Sequence, residues 1–232
     1  QELAGAYTKS PLNCKASADC TWIFLPLILL MNRPEDISNA NSWSELYHSK
    51  SARWDHGTHH PYLEKIIHDI KGLSKKSVLS IGAGPAHDAT YLDIHTSKTA
   101  ALDFSEAALD AHRHYYPESK IEYYVSDFFA NDAKISKHDL VFDHTFLCAI
   151  DPNRYETYFK RVKELLTPNG YYCAILFTDA SKDGKGPPYS IPTEMVLDYL
   201  HGKFEIVKVG PVDMTFPGRE GRETYLLARS LS

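Results

Sequence analysis

The segment Val78-Leu79-Ser80-Ile81-Gly82-Ala83-Gly84-Pro85-Ala86-His87-Asp88 constrains this chain more than any other. An apolar run of strand character enters a glycine turn and leaves it toward a helix. Gly82 and Gly84 have no Cβ, so the backbone can approach a ligand closely there, and positive φ costs little. From residue 77 onward, strand-like runs alternate with helical patterns, as in a parallel sheet covered by helices. The predicted strands are Ser77–Ile81, Thr99–Leu102, Ile121–Val125, Asp139–Phe142, Tyr171–Phe177, Phe204–Val209 and Thr224–Ala228.

The helices between them are legible. Ser105 precedes Glu106-Ala107-Ala108-Leu109 and is placed to accept from a free N–H of the first helical turn. Asn153 opens a second helix, in which Tyr155, Tyr158, Phe159, Val162, Leu165 and Leu166 share one face, and Pro168-Asn169-Gly170 ends it. Tyr62, Leu63, Ile66, Ile67 and Ile70 mark a helix ahead of the first strand.

At 232 residues the chain suits one domain with decorations. Its net charge of −5 and the lack of any lysine or arginine run argue against a nucleic-acid partner. Trp22–Met31 is apolar, but a spanning helix needs about 20 residues. Pro26 interrupts the run, and no small-residue cleavage site follows, so it is expected to pack on the domain. Cys14, Cys20, Cys148 and Cys173 form no CxxC pair and no zinc spacing, which favours a reduced, cytoplasmic protein and leaves a Cys14–Cys20 bridge open.

A glycine turn of this kind serves NAD and S-adenosylmethionine alike. The dinucleotide fingerprint would require glycine where His87 stands, and Pro85 removes one N–H from a pyrophosphate cradle. S-adenosylmethionine has no phosphate to cradle. Asp103, 21 positions after Gly82, is placed for the ribose hydroxyls. Asp127 suits an adenine amino group, and Phe128 and Phe129 either stack on its ring or fill the core.

Further segments carry a resemblance. Trp43-x-x-x-Tyr47 and Arg53-Trp54-Asp55-His56-Gly57 with Pro61 precede the turn Gly82-x-Gly84-x-x-His87-Asp88. Leu102-Asp103-Phe104-Ser105 and Asp127-Phe128-Phe129 follow, then Phe142-Asp143-His144-Thr145-Phe146-Leu147-Cys148-Ala149-Ile150 with Pro152 and Arg154. Leu165-Leu166-Thr167-Pro168-Asn169-Gly170 and Gly186-Pro187-Pro188-Tyr189 complete the series. Over residues 43–229 the chain resembles the thiopurine S-methyltransferase superfamily, and within it the plant methyl halide and thiol methyltransferases.

That resemblance implies a Rossmann-like α/β, class I methyltransferase fold. Its sheet would have seven mostly parallel strands, a reversed final strand and helices on both faces. Residues 1–60 would form an active-site cap and residues 61–232 the methyltransferase domain. The cofactor implied is S-adenosyl-L-methionine, contacted by Trp43, Tyr47, Trp54, Gly82, Gly84, Asp103, Phe104, Asp127, Phe128 and His144. The reaction implied is methylation of a small soft nucleophile: a thiol or thiolate, bisulfide, thiocyanate or halide. A small-molecule acceptor, a monomer or homodimer, and no nucleic-acid or membrane partner go with it. An O- or N-methyltransferase of a larger metabolite, or a binding protein without methyl transfer, are the alternatives.

Three residues depart from the pattern. Tyr47 replaces a tryptophan, Ala86 a third glycine (tolerable where that backbone is near-helical), and His144 a tyrosine. Aromatic faces such as Tyr47 and Trp54 stabilise a sulfonium by up to ~2 kcal/mol each. A neutral thiol, with pKa around 8.5, gains from a base. His144 is either that base or a pocket wall, with Tyr189 and Arg154 as acceptor-orienting groups. His87 is expected to orient the glycine turn. His56, His59 and His60 read as a lid loop, and no metal site is predicted.

Overall fold

The structure is a computed structural model and describes residues 36–130, 132, 134–180 and 186–232. Cys14, Cys20 and the apolar run Trp22–Met31 lie outside the described residues. The strands are β1 (Ser77–Ile81), β2 (Lys98–Asp103), β3 (Glu122–Val125), β4 (His138–His144), β5 (Leu166–Phe177), β6 (Phe204–Pro211) and β7 (Glu223–Ser230). They form one sheet in the order β3-β2-β1-β4-β5-β7-β6. β1 to β5 pair in parallel, while β7 runs antiparallel to both β5 and β6. The final strand is therefore the reversed one, as expected.

Side chains alternate across a strand, and the two halves of the core follow that alternation. Leu79, Ile81, Val141, Tyr172, Ala174 and Leu226 face one side, where α5 (Tyr155–Leu165) and α6 (Thr193–Leu200) cover them. Val78, Leu140, Phe142, Cys173, Ile175 and Leu227 face the other, against α2 (Leu63–Asp69) and Leu92 of α3 (His87–Asp93). Both faces of the central strands are buried, which is why they read as continuous apolar runs.

Two local readings need correction. The α5 helix begins at Tyr155, after a 3-10 turn whose capping group is the Asp151 carboxylate, which accepts from Asn153 N–H. It ends at Leu165, so Leu166 belongs to β5. Pro168-Asn169-Gly170 then falls inside β5, where the register against β4 shifts between His138 and Leu140. Asn169 takes φ 60° at that irregularity. The sequence signals a helix stop there, and an irregular strand answers the same turn chemistry.

Two helices at the carboxyl edge of the sheet are tied by one hydroxyl. Ser105 caps α4 (Glu106–Tyr115) by accepting from Ala108 N–H, as its sequence position suggests, and its Oγ also meets Ser44 Oγ at 2.8 Å. Ser44 lies on α1 (Ala40–His48), which is capped by Asn39. Ser105→Ala is expected to cost about 1 kcal/mol in urea unfolding. It should also speed amide exchange in α1, because Ser44 loses its partner; a cap role alone would leave α1 exchange unchanged.

Candidate active site

The turn after β1 has three residues in the left-handed region: Gly82 at φ 55°, Gly84 at 53° and Ala86 at 58°. Ala86 is therefore not near-helical, contrary to the condition read from the sequence. Its methyl is buried beside Ala89 and Ala101, and that contact offsets part of the strain. A Cβ on Gly82 would stand 2.2 Å from the Phe146 ring, and one on Gly84 would stand 2.7 Å from Tyr47 Oη. Both glycines are needed for close approach as well as for φ.

Above the turn lies a cleft open to solvent. Tyr47 and Trp54 form one wall, with Trp54 Nε1 donating to Tyr47 Oη at 3.1 Å. Trp43 stands behind them: its ring meets Trp54 edge-on at 5.3 Å, and its Nε1 donates to Ile37 O. Asp103 accepts from Gly84 N–H (2.9 Å) and Ser105 N–H (3.0 Å), while burial raises its pKa. Phe104 is half-buried at the end of β2. Asp127 is exposed and accepts from Phe129 N–H. Phe128 is a core residue, 5.3 Å from the Phe146 ring that covers Gly82.

Arg154 and Tyr189 lie outside the lining of this cleft. The Arg154 guanidinium stacks 3.5 Å over Phe129, and Tyr189 N–H donates to Cys148 O. His87 ties the turn to the preceding loop, with Nε2 2.8 Å from Asp55 Oδ1 and Nδ1 2.7 Å from Tyr116 Oη. The three neighbouring histidines diverge. His56 stacks on Phe216, His59 stacks on Tyr91, and His60 turns inward.

His144, at the end of β4, is at the centre of the polar groups. Its Nδ1 is 2.7 Å from Asp88 Oδ2, and Asp88 Oδ1 accepts His60 N–H at 2.7 Å. Burial pushes the Asp88 carboxyl upward, but the His144 ring and the His60 N–H outweigh it and hold the pKa below the ordinary value. Tyr62 N–H donates to His60 Nδ1, so the His60 proton sits on Nε2 and goes to Glu223 Oε2 at 3.1 Å. Thr215 Oγ1 donates to the same oxygen, and Arg219 Nη1 to Glu223 Oε1. Arg219 Nη1 also stands 3.3 Å from His144 Nε2. Burial opposes the Glu223 charge, yet the His60 and Thr215 bonds dominate and hold its pKa at about 2.

The sequence names Asp88 only as part of the glycine turn and His60 only within the lid-loop reading, whereas Arg219 and Glu223 come from a loop and strand with no local signature. His60, His144 and Glu223 bring donor atoms within 4.8 Å of one another, the one such trio among the described residues. Its chemistry is that of a hydrogen-bonded network: His60 Nε2 carries a proton, and a guanidinium already borders the other two groups.

The cleft suits S-adenosylmethionine. Its lining holds the carboxylates of Asp55 and Asp88 and the aromatic rings of Tyr47, Trp54 and Phe216, with no lysine or arginine to meet a pyrophosphate. The strand order and the glycine turn after β1 define a class I, S-adenosylmethionine-dependent methyltransferase. The N-methyltransferase NodS from Bradyrhizobium japonicum WM9, solved with S-adenosyl-L-homocysteine, has the same fold. It superposes with a TM-score of 0.59 at 17% identity, over 84% of this chain and 95% of its own. Residues 38–226 match the thiopurine S-methyltransferase (TPMT) family, and the chain belongs to it. Thiocyanate methyltransferase 1 of Brassica oleracea is 27% identical over 194 residues, 82% of this chain and 84% of its own. Thiopurine S-methyltransferase of Vibrio parahaemolyticus is 25% identical, over 79% of this chain and 97% of its own. Among the described residues no helix is long and apolar enough to cross a membrane.

The network makes the fold acid-sensitive in a defined window. Burial lowers the His60 pKa below 6.5, so the unfolded chain gains a proton first and stability falls as pH drops below that value. Glu223, lowered from 4.5 to about 2, contributes stability that is present above 4.5 and lost as pH falls toward 2. The Glu223 share is on the order of 3 kcal/mol. Thermal unfolding midpoints are expected to fall through both ranges, and Glu223→Gln should flatten the lower one.

Proposed function

We propose that this enzyme methylates a small sulfur nucleophile, with His144 as the base that receives the acceptor's proton. The observation that carries the reading is the Asp88–His144 pair, 2.7 Å apart, on the lining of the cleft above the glycine turn. A carboxylate bonded to Nδ1 fixes the tautomer and leaves Nε2 as the acceptor nitrogen, with Arg219 Nη1 3.3 Å from it. Relatives that bear the names thiocyanate methyltransferase and thiopurine S-methyltransferase support a sulfur acceptor.

When bound, S-adenosylmethionine supplies an electrophilic methyl group on a sulfonium. Tyr47 and Trp54 hold that cation by their faces, Asp103 receives the ribose, and Gly82 and Gly84 keep the floor clear. Trp43 props the Trp54 ring, while Phe104, Asp127 and Phe128 flank the adenine end. Tyr189 and Arg154 act on the acceptor side only through a rearrangement of the 186–189 segment and of Phe129. Catalysis rests mainly on positioning, with reactive atoms about 3–3.5 Å apart and water excluded. The cap read over residues 1–60 has residues 36–60 among those described. Of these, α1 and the loop after it carry Tyr47 and Trp54 to the cleft. The enzyme works in the cytoplasm on small molecules, where Cys148 and Cys173 stay as buried thiols.

The test is methyl transfer from labelled S-adenosylmethionine to an alkyl thiol, an aryl thiol, bisulfide, thiocyanate, iodide, a catechol and an amine. Product is expected with the thiols of the panel; product confined to the catechol or amine would refute the sulfur reading. Trp54→Ala should weaken S-adenosylmethionine binding about 10- to 30-fold, the equivalent of up to ~2 kcal/mol of cation–aromatic and packing contact. Unchanged calorimetric affinity would remove Trp54 from the site.

A further inference from the structure

We infer that the acceptor enters this site as an uncharged thiol, and that fixed anions such as thiocyanate and iodide are disfavoured here. The inference rests on the sulfur-methylation reading and narrows it. It follows from the charges and hydrogen-bonding directions around His144.

The groups facing the ring come from five places. Asp88 belongs to α3, and His60 to the loop ahead of α2. His56 belongs to the loop after α1, and Arg219 to the connection between β6 and β7. Glu223 is the first residue of β7. Arg219 is committed to Glu223 at 3.1 Å, and only 11% of its side chain is exposed. The Asp88 carboxylate therefore has no cation to match it while His144 is neutral. With the Asp55 carboxylate that lines the same cleft, the carboxylates outnumber the guanidinium and the group is net negative. A sulfonium bound beside it offsets part of that charge, and a neutral acceptor adds none. A fixed anion adds to the negative charge among partly buried carboxylates, where unmatched charge is costly.

Hydrogen-bond direction points the same way. With the ring proton on Nδ1 and given to Asp88, His144 Nε2 presents a lone pair. The nearest donor to it, Arg219 Nη1, stands at 3.3 Å, the long end of hydrogen-bond distance. A lone pair repels iodide or thiocyanate and accepts from a thiol S–H. The step balances. The S–H proton passes to Nε2, and the electron pair it leaves on sulfur forms the bond to the methyl carbon. The methyl–sulfonium bond breaks, and its pair stays on the departing thioether sulfur. The positive charge moves from the sulfonium to the His144 ring, where Asp88 faces it at 2.7 Å. Asp88 is thus a positioning residue acting through His144.

Wild-type enzyme is tested with 2-mercaptoethanol, thiocyanate and iodide at several pH values, and calorimetry follows binding of the two anions to the S-adenosylhomocysteine complex. The expected kcat/KM is at least about tenfold higher for the thiol, from the ~10²–10⁴-fold contribution of a placed base. An acceptor that must give up a proton is expected to lose turnover toward acid pH, and a fixed anion is not. A thiocyanate or iodide kcat/KM equal to the thiol's, or a shared acid limb for all three, overturns the inference while sulfur methylation stands. Silence with every acceptor removes both. Asp88→Asn keeps an oxygen for His60 N–H but turns an amide N–H toward Nδ1, driving the ring proton to Nε2. The thiol-to-thiocyanate ratio should then drop about 10²-fold or more, with the fold verified by retained S-adenosylhomocysteine affinity. An unchanged ratio contradicts the positioning role. Should this variant not fold, the wild-type acid limbs decide.

Discussion

The Asp88 carboxylate is the contact on which the rest of the site depends. It lies in the first turn of a helix, where free N–H groups favour a negative charge. One oxygen holds the backbone at His60 and the other holds the His144 ring. Three segments distant in sequence are thereby fixed to one another: the turn after β1, the loop entering α2, and the end of β4. The His60 ring is then held at both nitrogens, by Tyr62 N–H and by Glu223. Its T-shaped contact with His144, at 4.7 Å between centroids, follows from those two anchors. Removing the carboxylate would leave the His144 Nδ1–H without its partner and release the loop that leads into α2.

Backbone strain concentrates at the same place. Gly82, Gly84, Ala86 and Thr145 all have positive φ and all lie in or beside the cleft. For a residue with a Cβ, this conformation costs roughly 1–2 kcal/mol. At Ala86 the buried methyl recovers part of that, since a buried CH₂-sized group contributes ≈ 0.8 kcal/mol. At Thr145 the next two residues are over-determined instead, because Phe146 N–H and Leu147 N–H both donate to the Asp143 carboxylate. Burial lifts the Asp143 pKa to about 6, and Tyr158 Oη closes the group from the core side. The turn that aims His144 is thus held from the interior, and the cleft wall need not hold it.

The sheet was legible in the sequence because its strands are buried on both faces and read as uninterrupted apolar runs. Ser105 was legible because capping is a local act between a hydroxyl and an N–H three residues on. Leu166 and Pro168-Asn169-Gly170 were misread because a helix stop and a strand irregularity use the same turn residues, and only pairing with β4 separates them. Tyr47, Trp54, Gly82, Gly84, Asp103 and His144 could be named because each sits in a motif with a direct physical use. Glu223 and Arg219 could not. Their importance comes from β7 being threaded between β5 and β6, which brings residue 223 against residue 60. Nothing local in the chain encodes that meeting. Arg154 and Tyr189 show the converse, as motif residues whose side chains are engaged by Phe129 and by the 186–189 segment.

On the proposed reading, the exchange of one ring lets a shared scaffold take a different form of the nucleophile. In the motif pattern this chain resembles, the aspartate after the glycine turn is present and tyrosine occupies the position of His144. A phenol facing that carboxylate can only donate to it, and with a pKa near 10 it stays protonated at neutral pH. It offers the acceptor an apolar edge and no lone pair of comparable basicity, which suits a nucleophile that arrives already charged. An imidazole facing the same carboxylate donates from one nitrogen and accepts at the other. The carboxylate then sets the tautomer and later faces the imidazolium. Under the proposed mechanism, a histidine in place of a tyrosine turns a wall residue into a proton acceptor, because Asp88 is placed to orient the ring that stands there.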